Sequence, residues 1–117
     1  MELAITGSRT FNDKSALAAA IAEINPTAII TSECKGTDSL AVSYANAHGI
    51  PCAIVLPKHK TDNAIKYHPR YFHMRNREIV NAADHVLAFW DGTSKGTKST
   101  MDYARKTGTP LTVIRYR

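Results

Sequence analysis

The sequence predicts a three-layer, doubly wound α/β domain, and two features of the chain carry that prediction. Five short apolar runs recur along it, with segments of helical periodicity between them. Such runs, poor in charge and mostly unalternating, suit strands covered on both faces. Strands alternating with helices imply a parallel sheet with right-handed crossovers. Length agrees: 117 residues fit one domain, 1–117, because each half of a divided chain would fall below the roughly 60 residues at which cores become marginal.

The first strand is Leu3 to Thr6, and Asp13 is an N-cap candidate for a helix whose Leu17, Ile21 and Ile24 share a face. Ala28 to Thr31 is the second strand. Leu40, Ala41, Tyr44, Ala45 and His48 form the face of a second helix, stopped by Gly49 and Pro51. Cys52 to Leu56 follows as the third strand. Ile79, Val80 and Ala83 mark a third helix, which opens with Arg75-Asn76-Arg77-Glu78 and is ended by Asp84 before a strand at His85 to Phe89. A fourth helix carries Thr97, Met101, Ala104 and Arg105, ends at Gly108 and Pro110, and precedes the last strand, Leu111 to Ile114. From Pro57 to His73 no helical period stands out, and the stretch carries Lys58, His59, Lys60, Lys66, Tyr67, His68, Arg70, Tyr71 and His73. Loops this long in compact domains are usually functional or disordered. The expectation is a basic, aromatic lid at the end of the third strand, with a mobile insertion as the alternative.

Composition narrows the function classes. Apolar residues make up 44% and charged residues 21%, the range of soluble globular domains, which excludes disordered and fibrous chains. The longest apolar run, Ala16 to Ala22, is far shorter than the ~18 residues that span a bilayer. No membrane partner is expected. Neither is a secretory signal, since no basic region and long apolar core open the chain, so a cytoplasmic location is expected. Cys34 and Cys52 read as free thiols, and the five histidines lack metal-ligand spacing, so no metal is assigned. Residues 1–57 carry three Lys/Arg against five Asp/Glu, net −2, whereas residues 58–117 carry twelve against five, net +7. A basic half suits a phosphate-bearing partner, or a solvated face.

Three loops follow strand ends and precede helices: Gly7-Ser8-Arg9-Thr10-Phe11, Ser32-Glu33-Cys34-Lys35-Gly36-Thr37-Asp38, and Asp91-Gly92-Thr93-Ser94-Lys95-Gly96-Thr97. Glycine admits a ligand close to the backbone, and a helix start attracts phosphate. In a parallel sheet all three open on one edge, which points to a nucleotide-sized anion site. Neither GxGxxG nor GxxxxGK[ST] is present, so NAD-dehydrogenase and P-loop chemistry are disfavoured and no cofactor is assigned. Arg75 either pairs with Glu78 one turn on or holds a ligand anion.

The first loop, Gly36-Thr37-Asp38-Ser39-Leu40-Ala41, Arg75-Asn76-Arg77-Glu78 followed by Ala83-Asp84, and Phe89-Trp90 running into the third loop together resemble the SLOG superfamily, in its YspA/YpsA-like branch. The match runs almost the whole chain in order. This resemblance implies a compact Rossmann-like fold with strand order 3-2-1-4-5 and a nucleotide-derived ligand. The superfamily includes the LOG cytokinin-activating phosphoribohydrolases and the DNA-processing protein DprA. Two positions depart from the pattern: Ser32-Glu33 stands where relatives have Gly-Gly, and Thr100 stands where the LOG glutamate falls.

Three functions follow. The first is binding, as a sensor, of a nucleotide or ribose-phosphate derivative. Its ligand-binding residues would be Gly7, Ser8, Arg9, Thr10, Ser32, Lys35, Gly36, Asp38, Arg75, Asn76, Asp91, Gly92, Ser94, Gly96 and Thr97. The second is hydrolysis of a nucleotide N-glycosidic bond, with Glu33, Glu78 and Arg75 as catalytic candidates and Asp38 or Asp91 as substitute carboxylates. The third is DprA-like single-stranded DNA binding, with Tyr67, Tyr71 and Phe72 available to stack bases. Small size and an exposed helix face are also compatible with a homodimer.

Overall fold

The computed structural model describes residues 1–117. In chain order the elements are β1 (Glu2–Gly7), α1 (Lys14–Ile24), β2 (Ala28–Ser32), α2 (Thr37–His48), β3 (Cys52–Val55), α3 (Lys58–Thr61), α4 (Arg70–Ala82), β4 (His85–Trp90), α5 (Lys95–Lys106) and β5 (Leu111–Arg115). The five strands form one sheet in the order β3-β2-β1-β4-β5, and every pairing is parallel. The expected order holds, as does the three-layer Rossmann-like architecture.

Alternation along the central strands fills two cores. Leu3, Ile5, Ile29, Leu87 and Phe89 face α1 and α2, where Leu17, Ile21, Ala41 and Ala45 meet them. Ala4, Ile30 and Val86 face the opposite layer, against Ile79 and Val80 of α4 and Ala104 of α5. Each central strand is thus apolar on both sides, which is why its run does not alternate in polarity, whereas the edge strand β3 leaves Ile54 exposed. Asp13 caps α1 as its spacing predicts, its Oδ1 accepting from the Ala16 N–H at 3.0 Å. Asp84 does more than end a helix: its Oδ2 accepts from the Glu2 N–H at 2.8 Å, and its own N–H donates to the Glu2 carbonyl at 2.9 Å. These bonds set the register between β1 and β4.

The stretch from Pro57 to His73 is more ordered than its pattern suggests. It contains the short helix α3, and α4 starts at Arg70 rather than at Arg75. His59 supplies the local core. Its ring lies 5.1 Å from Tyr67, 6.1 Å from Tyr71 and 5.2 Å from Phe72. Contacts among scattered aromatics leave no helical period to read.

Candidate functional site

All five strands point the same way, so the loops after β1, β2 and β4 meet at one edge of the sheet. A cavity of about 360 Å³ opens there, lined by the ends of β1 and β2 and the first turns of α2, α4 and α5. Ser8 holds the loops together from a buried position. Its N–H donates to the Phe89 carbonyl at 2.9 Å, its Oγ accepts from the Asp91 N–H at 3.2 Å, and its carbonyl accepts from Thr37 Oγ1 at 3.0 Å. One serine therefore joins three loops. Phe11 anchors the first of them by stacking on Phe89, ring centroids 4.4 Å apart.

The glycines divide into two kinds. A Cβ on Gly7 would lie 2.7 Å from the Phe89 carbonyl oxygen, and one on Gly36, at φ +77°, would lie 2.6 Å from the Arg9 carbonyl carbon. Both are glycine because loop packs on loop, and not primarily to admit a ligand. Gly92 likewise packs against the Arg115 guanidinium. Gly96 differs: it lines the cavity, and a Cβ there would meet nothing within 4 Å.

Asp38 is the one carboxylate lining the cavity. It is 5% exposed. Its Oδ2 accepts a short hydrogen bond from Ser32 Oγ, which in turn accepts from the Cys34 N–H at 3.2 Å. Its Oδ1 is buried without a partner. Burial pushes the Asp38 carboxyl up to about 7, against the Ser32 hydrogen bond and the Arg75 charge, which favour ionisation.

Arg75 corrects the local expectation. Its guanidinium, 3% exposed, donates to Glu33 Oε2 at 2.6 Å and to Asn76 Oδ1 at 2.8 Å, and lies over the Phe72 ring at 5.5 Å. Glu78 is exposed and takes no part. Glu33 also accepts from Lys60 at 3.2 Å. Partial burial raises the Glu33 carboxyl, but hydrogen bonds from its own backbone, Arg75 and Lys60, with the attraction of Arg75, bring it net below the usual range. Neither Glu33 nor Glu78 lines the cavity, whereas Arg75 does.

At the opposite wall α5 begins. Asp91 Oδ1 accepts from the Thr93 and Ser94 N–H groups at 2.9 and 2.7 Å, and these bonds hold its carboxyl below the usual range. Ser94 Oγ pairs with Thr97 Oγ1 at 3.1 Å and caps no N–H. The first-turn N–H groups of α5 therefore stay open toward Lys95 and Gly96, a receptive end for an anion. Thr100 is buried and bonds back to the Gly96 carbonyl at 3.1 Å.

Of the residues expected from sequence, Gly7, Arg9, Ser32, Asp38, Arg75, Asn76, Ser94, Gly96 and Thr97 line the cavity. Ser8, Gly36, Asp91 and Gly92 instead hold the surrounding loops together behind the lining, Thr10 bonds Tyr116 Oη at 2.8 Å, and Lys35 is exposed. Thr6, Cys34, Pro69, Phe72, His73 and Lys95 join the lining. Cys34 and Lys95 fall inside the loops already marked. Pro69, Phe72 and His73 enter because α4 starts early.

Fold and site together define a parallel α/β domain whose sheet edge carries an anion-receptive mouth beside a buried carboxylate. A family model described as YAcAr, the YspA, cpYpsA-related SLOG family, matches residues 1–61, and the chain belongs to that family. Among solved structures it is similar to DNA processing protein A from Helicobacter pylori, in a structure describing that protein's single-stranded DNA binding mode. The TM-score is 0.71 at 21% identity, covering 100% of this chain and 66% of the other. This chain thus spans just under two-thirds of that one, and the likeness is one of fold. No curated protein matches the sequence. No helix is long and apolar enough to cross a membrane.

Proposed function

We propose that the protein binds a nucleotide or ribose-phosphate derivative at the C-terminal edge of its sheet, as a sensing or binding module. The observation that carries this reading is Asp38 Oδ1, a buried oxygen without a partner in the lining of the cavity that also receives the start of α5. A buried acceptor without a donor is costly. A ribose hydroxyl supplies that donor, while the phosphate sits at the open N–H groups of α5 near Lys95 and Arg9. Phe72 and Pro69 add apolar surface for the base. Membership of a SLOG family and the fold shared with a DNA-binding protein support the same ligand class.

N-glycosidic hydrolysis fits less well. Thr100 carries no charge and spends its hydroxyl on the Gly96 carbonyl, and Glu33 is committed to Arg75 and Lys60. Asp38 is the remaining carboxylate for such a reaction. Single-stranded nucleic acid shares the phosphate and sugar chemistry, and one observation favours it as a second reading: Tyr67, 64% exposed, adjoins the cavity residue Phe72 at 6.0 Å between rings.

Calorimetric titration with ribose 5-phosphate and the nucleoside monophosphates tests the proposal. At pH 8, where the Asp38 carboxyl is mostly ionised, Asp38→Ala removes the acceptor and should weaken binding by about 1.5 to 3 kcal/mol, the scale of a hydrogen bond to a charged group. Absence of binding by every one of these ligands would sink it.

A further inference from the structure

We infer that the groove between α4 and α5 is a second phosphate subsite, so that the preferred ligand carries a second, phosphodiester-linked nucleotide. This rests on the nucleotide-binding reading above, because the groove extends the same cavity. It holds about 400 Å³, and His73, Asn76 and Lys95 border both cavities. A ligand leaving the sheet edge past these three side chains enters the groove directly.

The lining has the charge such a ligand needs. Arg77 from α4 and Lys95, Lys98 and Lys106 from α5 face one carboxylate, Asp102, and Tyr103 is the only apolar member. Asp102 is already neutralised, by Lys98 at 2.9 Å and Arg105 at 3.2 Å. Arg77, Lys95 and Lys106 form no ion pair. Lys106 alone would read as balance for the helix dipole at its C-terminal end. Lys95 opposes that reading, because a cation at a helix start disfavours the helix and no acidic residue occupies the first turn. A bound phosphate offsets the cost. From Lys95 to Lys106 the axis of α5 advances about 16 Å at 1.5 Å per residue, more than the phosphate of a mononucleotide can reach.

The test compares AMP and UMP with their 5′-phosphorylated dinucleotides, pApA and pUpU, in wild type and in the Arg77→Gln/Lys106→Gln double variant. Both replaced side chains are exposed and outside the sheet-edge cavity. Wild type should bind dinucleotides about tenfold or more tighter than mononucleotides. The plot of log K against log salt should steepen by about 0.7 for the added phosphate. The double variant should lose that gain and keep its mononucleotide affinity. A pentanucleotide separates the sources of the chemistry: tighter binding again indicates a strand, unchanged binding a dinucleotide, and either keeps the subsite. Equal affinity of wild type for mono- and dinucleotides would overturn the groove while leaving nucleotide binding intact. A gain that survives the double substitution would overturn it too, and no binding of any ligand removes both readings.

Discussion

Asp38 concentrates the chemistry of the site in one side chain. Its carboxyl, ordinarily at 3.8, is raised to about 7 in the folded protein, chiefly by burial. The folded state thus holds a proton that the unfolded chain has released. The associated stability is complete below about pH 4 and is lost as pH rises through about 7. Urea denaturation of wild type and Asp38→Asn across pH 4 to 8 should show wild type losing stability relative to the variant. Parallel curves would mean that Asp38 is not desolvated as described. Arg75 makes a second prediction at this scale. Arg75→Ala strands Glu33 with Lys60 alone and should cost about 1.5 to 3 kcal/mol of stability, whereas Glu78→Ala, at an exposed position without an ion pair, should stay within roughly 0.5 kcal/mol. Sequence spacing shows Glu78 one turn from Arg75. It cannot show Glu33, which is 42 residues away, because only the fold brings the end of β2 and the second turn of α4 together.

At the scale of elements, the two glycines that begin helices have opposite duties. Gly36→Ala forces a side chain into the Arg9 backbone at φ +77° and should destabilise the protein by on the order of 1 to 3 kcal/mol. Gly96→Ala meets no protein atom and gains helix propensity, by up to about 1 kcal/mol. It should therefore keep or raise the melting temperature while weakening ribose 5-phosphate binding, if the phosphate sits where we propose, because the new methyl would intrude there. Unchanged binding would put the phosphate elsewhere. Both glycines look alike in sequence, each just ahead of a Thr-containing helix start. What separates them is whether another loop lies opposite. The central strands were legible because burial on both faces leaves apolar runs, whereas the first turn of α4 was not, since Arg70 and Tyr71 carry no apolar stripe.

For the whole molecule, parallel topology is what turns three ordinary loops into one site. The order β3-β2-β1-β4-β5 places the ends of β1, β2 and β4 side by side, and Ser8 locks them there. The same arrangement leaves Thr100 in place of a carboxylate, so chromatography of the protein incubated with each nucleoside monophosphate should reveal no multiple-turnover release of free base. Ligand binding at the sheet edge is read residue by residue in a ¹H–¹⁵N correlation spectrum of the labelled protein titrated with AMP and ribose 5-phosphate. Binding as described shifts the amides of Gly7, Ser32, Asp38, Lys95, Gly96 and Thr97 together and saturably, with the apolar cleft between α1 and α2 at Leu40 and Tyr44 unmoved. Shifts confined to that cleft, or none at all, would contradict the account.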